Sequence, residues 1–591
     1  FVPQLDLMKI HHFDNKSKMT SLKLLEFNMR MDDIIELPYA PDHVLTLAES
    51  RKVLTYNWHD VKATRKFGDL SRPMIEFRDN LTEKYGKNFT NHNDTKIGAD
   101  FFVMQLADAG VKANKNTQTP RAVVNAGEII LPYVQFEHPE FQRVLEFFRT
   151  AVIPTEGQGI KSYFSQFEQE LTADIDGFHV VFGGGGIHAS LSKQICTSTD
   201  THQIIDSDVA SFYPNLAIKN KLFPEHLTEK FCDVYLNVYN ERKTYAKGTA
   251  ENNMMKLALN GVYGKSNDVH SPFLDPKYTL ATTINGQLLL CMLTEQLIKI
   301  PGLTMVQMNT DGVTYSCPRE YVNHAMLLSE WWEDLTQLEL EHAPYERMPI
   351  ANVNNYMAKT DKWKIKDLPV EAYWKEGTPD DFSHYLGNLQ YATLPADKNQ
   401  YVKRIGCYAH QRIEENSGTR ELTWNKNHSA VVVAKAAEAA LMHDQDIAEF
   451  IHNHDDVYDF FLRTKVPRSS HLLCGDEQVQ NVSRYYVSET GGSLTKIMPP
   501  TQPLIEKWHS VAHWKHRDNG KTVNAKKAPS GKYDQIAKPS DTPPDRRMSI
   551  QKGYLVTVCN SVAGHEFNDI NYDYYITEAR KLVDELKAVT S

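Results

Sequence analysis

The chain has 591 residues, 41% hydrophobic and 24% charged, which is enough for several domains each with its own core. Its net charge of −10 excludes a globally basic nucleic-acid coat, so any contact with nucleic acid has to come from local basic surfaces. The seven cysteines form no C-x-x-C pair, which argues against structural zinc and for reduced thiols in a cytoplasmic setting; no apolar run approaches the ~20 residues of a membrane span, and no secretory leader is visible.

Residues 1–170 mix short apolar runs with polar turns and read as α/β. Tyr56-Asn-Trp-His-Asp60 stands beside an apparent helix. Residues 182–188 (FGGGGIH) lack the Gly-Lys-Ser/Thr ending of a P-loop, so an NTPase reading fails. They are either a flexible hairpin or a bare backbone that approaches phosphate closely. Residues 203–213 (QIIDSDVASFY) read as an apolar, β-branched strand that ends in Asp208. Residues 240–265 carry five cations against two acids, and a helix there puts Lys256 and Asn260 on one face with Tyr263 a turn further on. Residues 305–317 (MVQMNTDGVTYSC) alternate around an Asp-Gly pair, the signal for a β-hairpin with a tight turn, here with Asp311 at its tip. Two carboxylates at the tips of adjacent strands can hold two divalent ions about 4 Å apart, the arrangement of phosphoryl transfer.

Beyond the hairpin the pattern blurs from 319 to about 400, where Trp331, Trp332, Trp363 and Trp374 sit among mixed charges. Residues 401–408 (YVKRIGCY) read either as a basic–aromatic strand for nucleic acid or as an edge strand guarded by lysine. From about Trp424 the composition turns helical, with an alanine-rich apolar face over 428–443. Residues 461–470 supply Arg463, Lys465 and Arg468 without an acid. Residues 514–533 hold six cations against Asp518, a phosphate-tracking surface or a mobile loop. No internal repeats appear.

Three of these stretches resemble the motifs of the family B DNA polymerases in the order that family uses. D-V-A-S-F-Y-P at 208–214 is similar to motif A, K-L-A-L-N-G-V-Y-G at 256–264 to motif B, and N-T-D-G at 309–312 to motif C. Motif C usually opens with Asp, where this chain has Asn309. The resemblance implies a multi-domain α+β protein of α/β class with a right-hand palm, fingers and thumb. It implies metal at Asp208, Val209 and Asp311, with two Mg²⁺ ions for which Mn²⁺ substitutes. Catalysis would fall to Asp208, Asp311 and Lys256. The dNTP would be held by Tyr213, Arg242, Lys247, Lys256, Asn260 and Tyr263, with Tyr213 as the steric gate against a 2′-hydroxyl.

Primer–template DNA would meet the glycine linker at Gly184 and Gly185, the strand carrying Lys403, Arg404 and Tyr408, and the thumb at Lys465 and Arg468. Tyr56 and Asp60 resemble the last motif of the family's 3′–5′ exonuclease, implying a partial, N-terminally incomplete RNase H-like domain. The expected division is 1–170 exonuclease-like and linker, 171–420 palm with fingers at about 225–265, and 421–591 thumb and C-terminal region. Only 48 positions separate Asp208 from Lys256, room for a two-helix fingers unit and for no protein-priming insertion. The setting implied is a monomeric bacteriophage replicase in the host cytoplasm, with processivity or replisome proteins as partners and no membrane. Two alternatives stand beside it: a catalytically inactive polymerase-like DNA-binding scaffold, suggested by Asn309, and a 3′–5′ exonuclease, suggested by Asp60.

Overall fold

The computed structural model describes residues 4–39, 43–361, 363–365, 391–393, 401–410, 423–510, 513–524, 530–536 and 545–588. Trp374, Lys526 and Lys527 lie outside them. The N-terminal region is helical: α1 (Leu22–Asn28), α2 (Leu47–Leu70), α3 (Arg72–Tyr85) and α4 (Asp94–Asp108). Helix α2 opens on a capping box in which Thr46 and Glu49 each accept the other's backbone N–H.

After α5 (Pro139–Thr150) come β1 (Thr172–Ile175), β2 (Phe178–Phe182), β3 (Ile187–Ser190), β4 (Gln194–Thr197) and β5 (His202–Val209). Four helices follow: α6 (Phe212–Lys219), α7 (Lys230–Thr244), α8 (Ala250–Gly264) and α9 (Pro276–Leu297). The hairpin is β6 (Thr304–Asn309) and β7 (Gly312–Pro318), succeeded by α10 (Val322–Thr336), β8 (Leu340–Asn352), β9 (Asn355–Thr360) and β10 (Val402–Ile405). The C-terminal part includes α11 (Val431–His443), β11 (Leu462–Lys465), β12 (Val482–Ser488) and α12 (Tyr572–Val583).

An eleven-stranded sheet runs β10-β9-β8-β5-β7-β6-β3-β2-β1, with β4 on β8 and the short strand Lys587–Ala588 on β4. The two strands that carry Asp208 and Gly312 thus lie side by side at its centre. Central strands are covered on both faces, which is why they read as nearly unbroken apolar runs: Ile204, Ile205, Met308 and Val313 are fully buried. One covering element is α9, started by the N-cap Asp275 and Pro276 and buried on every side. Its Leu288, Leu289 and Leu290 share one core with Ile205, Met308 and Val313.

Two other cores draw on the N-terminal helices. Phe101 and Phe102 of α4 pack with Tyr235 of α7 and Met254 and Ala258 of α8. The two backbones cross so closely that a Cβ on Gly98 would stand 2.4 Å from the Leu257 carbonyl oxygen. Phe27 of α1 joins Val432 of α11, Tyr485 and Val487 of β12 and Tyr575 of α12. The cores therefore cut across the divisions at 170 and 420, because apolar faces far apart in the chain find each other. Before Val123 the described residues form helices, turns and an isolated bridge of Asp33 with Ser561. The expected RNase H-like sheet is not among them. What stands is a mixed helix-and-sheet, multi-domain α/β chain. Among the described residues no helix is long and apolar enough to cross a membrane.

Candidate active site

Asp208 is the penultimate residue of β5 and faces Gly312, the first residue of β7. The neighbouring Val209 N–H donates to the Asp311 carbonyl at 2.7 Å, which ties the end of β5 to the tip of the hairpin. The glycine of the Asp-Gly pair has a different reason from the one its sequence suggests. None of Thr310, Asp311 and Gly312 has a positive φ, so no left-handed turn demands it. A Cβ at Gly312 would instead stand 2.2 Å from Asp208 Oδ1 and 2.8 Å from the Ser207 carbonyl. Glycine is there because the Asp208 carboxylate occupies the space.

Two residues that the sequence did not single out, Asp206 and Glu341, complete the acidic side, and Lys403, expected at the DNA, faces them. Asp206 lies two residues before Asp208 on the same face of β5. It is buried, accepts from Thr314 Oγ1 at 2.6 Å and from the Tyr345 hydroxyl, and has Lys403 Nζ at 4.0 Å. Glu341 stands directly across from Asp208 on β8. Lys403, on β10, lies 5.6 Å from the Tyr356 ring centre and is drawn toward these carboxylates. Burial, followed by Asp206, pushes the Asp208 carboxyl up to about 7; Asp311 and Glu341 add to the rise and Lys403 opposes it. Burial alone would lower the Lys403 ammonium, but Asp206, Tyr356 and Asp208 hold it above the usual lysine range.

The other side of the site is a cleft of about 360 Å³. Lys256, Asn260 and Tyr263 line it from one face of α8, with Arg242 from the last turn of α7. Val209, Tyr213, Thr310 and Asp311 close it from the sheet side. Lys256 and Asn260 are exposed, as an i, i+4 pair facing solvent should be. The Arg242 Nε is buried and finds no hydrogen-bond partner among the described residues, so one donor of a cationic group in the cleft is left open. The Tyr213 ring packs 4.4 Å from that of Tyr263 at 50°. Lys247 sits exposed on the turn between α7 and α8, outside the cleft lining.

Asn309 uses its carboxamide oxygen to accept from the Thr310 N–H at 2.8 Å, a turn role rather than a ligand role. Gly184 and Gly185 lie in the tip that joins β2 to β3, and Gly185 accepts the Tyr213 hydroxyl. β10 and the short helical turn after it, residues 406–408, do not present Arg404 and Tyr408 outward as expected. Arg404 is held by Glu438 of α11, to which its Nε and Nη2 both donate, the Nη2 bond being 2.7 Å. Tyr408 is fully buried, donating to the Leu582 carbonyl at 2.9 Å, because it fills a small core with Met357 and Leu441. Lys465 and Arg468 are exposed at the end of β11 and on the turn after it, away from the cleft lining.

Tyr56 and Asp60 are brought one turn apart on α2, but Asp60 is paired with Lys23 at 2.6 Å. Lys23 also binds the buried Glu26 at 2.7 Å and lies 4.9 Å from the Tyr56 ring centre. That lysine neutralises the position at which an exonuclease would need free carboxylates.

Among the described residues no three His, Cys, Asp or Glu side chains converge as a metal cage. Asp208 and Asp311 are donors of the kind Mg²⁺ takes, since that ion binds through one or two carboxylates plus substrate phosphates. What supports the fit is the donor set: Gly312 leaves room for the Asp208 carboxylate beside the turn that carries Asp311.

No protein-family model matches the chain, and no curated protein matches it. Among solved structures it has a weak likeness to the family B DNA polymerase from the hyperthermophilic archaeon Pyrobaculum calidifontis. The identity is 12% and the TM-score 0.32, over 98% of this chain and 63% of that one. The chain thus spans less than two thirds of that polymerase's length.

Proposed function

We propose that this chain is a template-directed DNA polymerase of right-hand architecture that adds dNTPs to a primer 3′-hydroxyl. The observation that carries the reading is that Asp311 lines one cleft with Lys256, Arg242 and Asn260, while Asp208 is paired in register with Gly312, the residue next to it. In this reading the large sheet is the palm, α7 and α8 are short fingers, and the part from about 421 onward is the thumb. The N-terminal residues are a partial exonuclease-like region in which Asp60 is salt-bridged to Lys23.

Asp208 and Asp311, with the Val209 carbonyl, would hold two Mg²⁺ ions, Mn²⁺ substituting. Bound there, the ions supply charge neutralisation at the attacking and leaving oxygens. Lys256 meets the triphosphate as a point charge, and Arg242 brings a planar donor whose Nε is already desolvated and unpaired. Asn260 and Tyr263 shape the wall at the base. Tyr213 lies under the sugar and excludes a 2′-hydroxyl by its ring. Because the protein's share of phosphoryl transfer is positioning and charge stabilisation, every one of these side chains acts without covalent chemistry. Replication of a viral genome is the setting that the motif order and the compact fingers suggest.

The test is extension of a labelled primer on a defined template with Mg²⁺ and the four dNTPs. Template-dependent elongation is expected; DNA binding without elongation under any divalent ion would leave a scaffold protein instead.

A further inference from the structure

Residues 183–186, the glycine tip between β2 and β3, are tied to the nucleotide site at three points. The Gly185 carbonyl accepts the Tyr213 hydroxyl at 2.7 Å. Gly186 lies against the motif C turn, where a Cβ would stand 2.7 Å from Thr310 Oγ1 and 2.8 Å from its Cγ2. Gly183 is pinned by Gln287 of α9, which accepts from its N–H at 2.9 Å and donates to its carbonyl at 2.9 Å. Gln287 is itself buried, with its amide group also donating to the Thr283 carbonyl at 3.0 Å.

The preceding residue of the same helix meets the other end of this arrangement. Gly286 lies under the Tyr213 ring, where a Cβ would come within 3.0 Å of Cε1. Two successive residues of one buried helix therefore position both partners of a single hydrogen bond, Gln287 the hairpin and Gly286 the ring. A tyrosine used as a steric gate needs its ring at a fixed height below the sugar, and an unanchored ring can tilt away about χ1 and χ2. The hydroxyl bond removes that freedom.

We propose that the Gly185 carbonyl and Gln287 are specificity-positioning groups. Through the hydroxyl of Tyr213 they set discrimination between deoxyribose and ribose. The inference rests on the polymerase reading of the cleft. It assigns to the glycine tip a role in sugar choice beyond any contact with template.

Two substitutions test it. Tyr213→Phe keeps the ring and removes the anchor; Gln287→Leu keeps most of the volume and releases the tip. The readout is the ratio of kcat/KM for an rNTP to that for its dNTP, measured on one primer–template. Each variant is expected to raise the ratio about fivefold, the worth of one hydrogen bond. The double variant is expected to go no further than the larger single, since both act through one contact. A folding defect lowers both sugars alike and leaves the ratio where it was. Ratios within about twofold of wild type in both single variants overturn the inference, as do effects that multiply in the double variant. Failure of the wild-type chain to use dNTPs at all is a separate result: it removes the polymerase reading and this inference with it.

Discussion

Gly312→Ala is the smallest change that should disable the site. The added methyl would sit 2.2 Å from Asp208 Oδ1, 2.8 Å from the Ser207 carbonyl and 3.0 Å from the Asp208 Cα. Relief needs about 1 Å of extra separation, because ordinary non-bonded contact begins at about 3.5 Å. Ser207 and Asp208 are locked in register with β7 and with β8 on the other side, so backbone retreat is opposed from both edges. The cheapest response is rotation of the Asp208 carboxylate out of its place beside Asp311. Overpacking of this kind costs about 1–3 kcal/mol of stability, which leaves a large domain folded. A reacting group misplaced by about 1 Å loses on the order of 100-fold in rate. Single-turnover nucleotide incorporation should therefore fall by about two orders of magnitude, while the melting curve shifts modestly. A rate within about threefold of wild type in a folded variant would refute the argument that glycine is there to make room for Asp208.

Lys256→Ala should raise the apparent Kd for dNTP about tenfold or more and leave DNA affinity nearly unchanged, as read by nucleotide titration and by fluorescence anisotropy. Burial works against ionisation of Glu438, but His410 and Arg404 outweigh it and hold the carboxyl down at about 2. Its stabilising contribution is therefore present above the ordinary carboxylate range and disappears as pH falls from about 4.5 toward 2. Glu438→Gln should cost roughly 2–3 kcal/mol at pH 7, with the gap from wild type closing toward pH 2 in denaturant melts.

Asp208 has the opposite sign. Its carboxyl, raised to about 7, favours the fold at low pH, and that contribution is lost as pH rises from about 4 through 7. Protons and Mg²⁺ then compete for it, so thermal stabilisation by Mg²⁺ should be larger at pH 8 than at pH 6. Equal stabilisation at both pH values would contradict this.

The parts of the site that are local in sequence were legible there. Alternation around Asp311 forecast the β6–β7 hairpin, and the spacing of Lys256, Asn260 and Tyr263 forecast one face of α8. Between Asp208 and Lys256 stand α6, α7 and the first turns of α8. What depended on register between distant strands was hidden. Glu341 reaches Asp208 only because β8 pairs with β5, and Lys403 reaches Asp206 only because β10 pairs with β9 and β9 with β8. Glu341 carries no local mark, and Lys403 reads locally only as a nucleic-acid contact or an edge guard. Tyr408 looked like a nucleic-acid contact because basic and aromatic residues alternate there, yet that alternation also describes a strand whose aromatic end is buried under α11 and α12. The partners of the N-terminal helices are hidden for a related reason: α1 and α4 each complete a core built from residues far down the chain.

The central claim is that Asp208 and Asp311 act as one cation site for nucleotide transfer. It is tested most directly by single-turnover primer extension with Asp208→Asn, Asp311→Asn and the double variant across a Mg²⁺ titration, with DNA affinity measured in parallel. Each single variant is expected to lose on the order of 1,000-fold or more in rate while retaining DNA binding, and the double variant to lose little beyond that. Incorporation by either single variant at near the wild-type rate would contradict the claim.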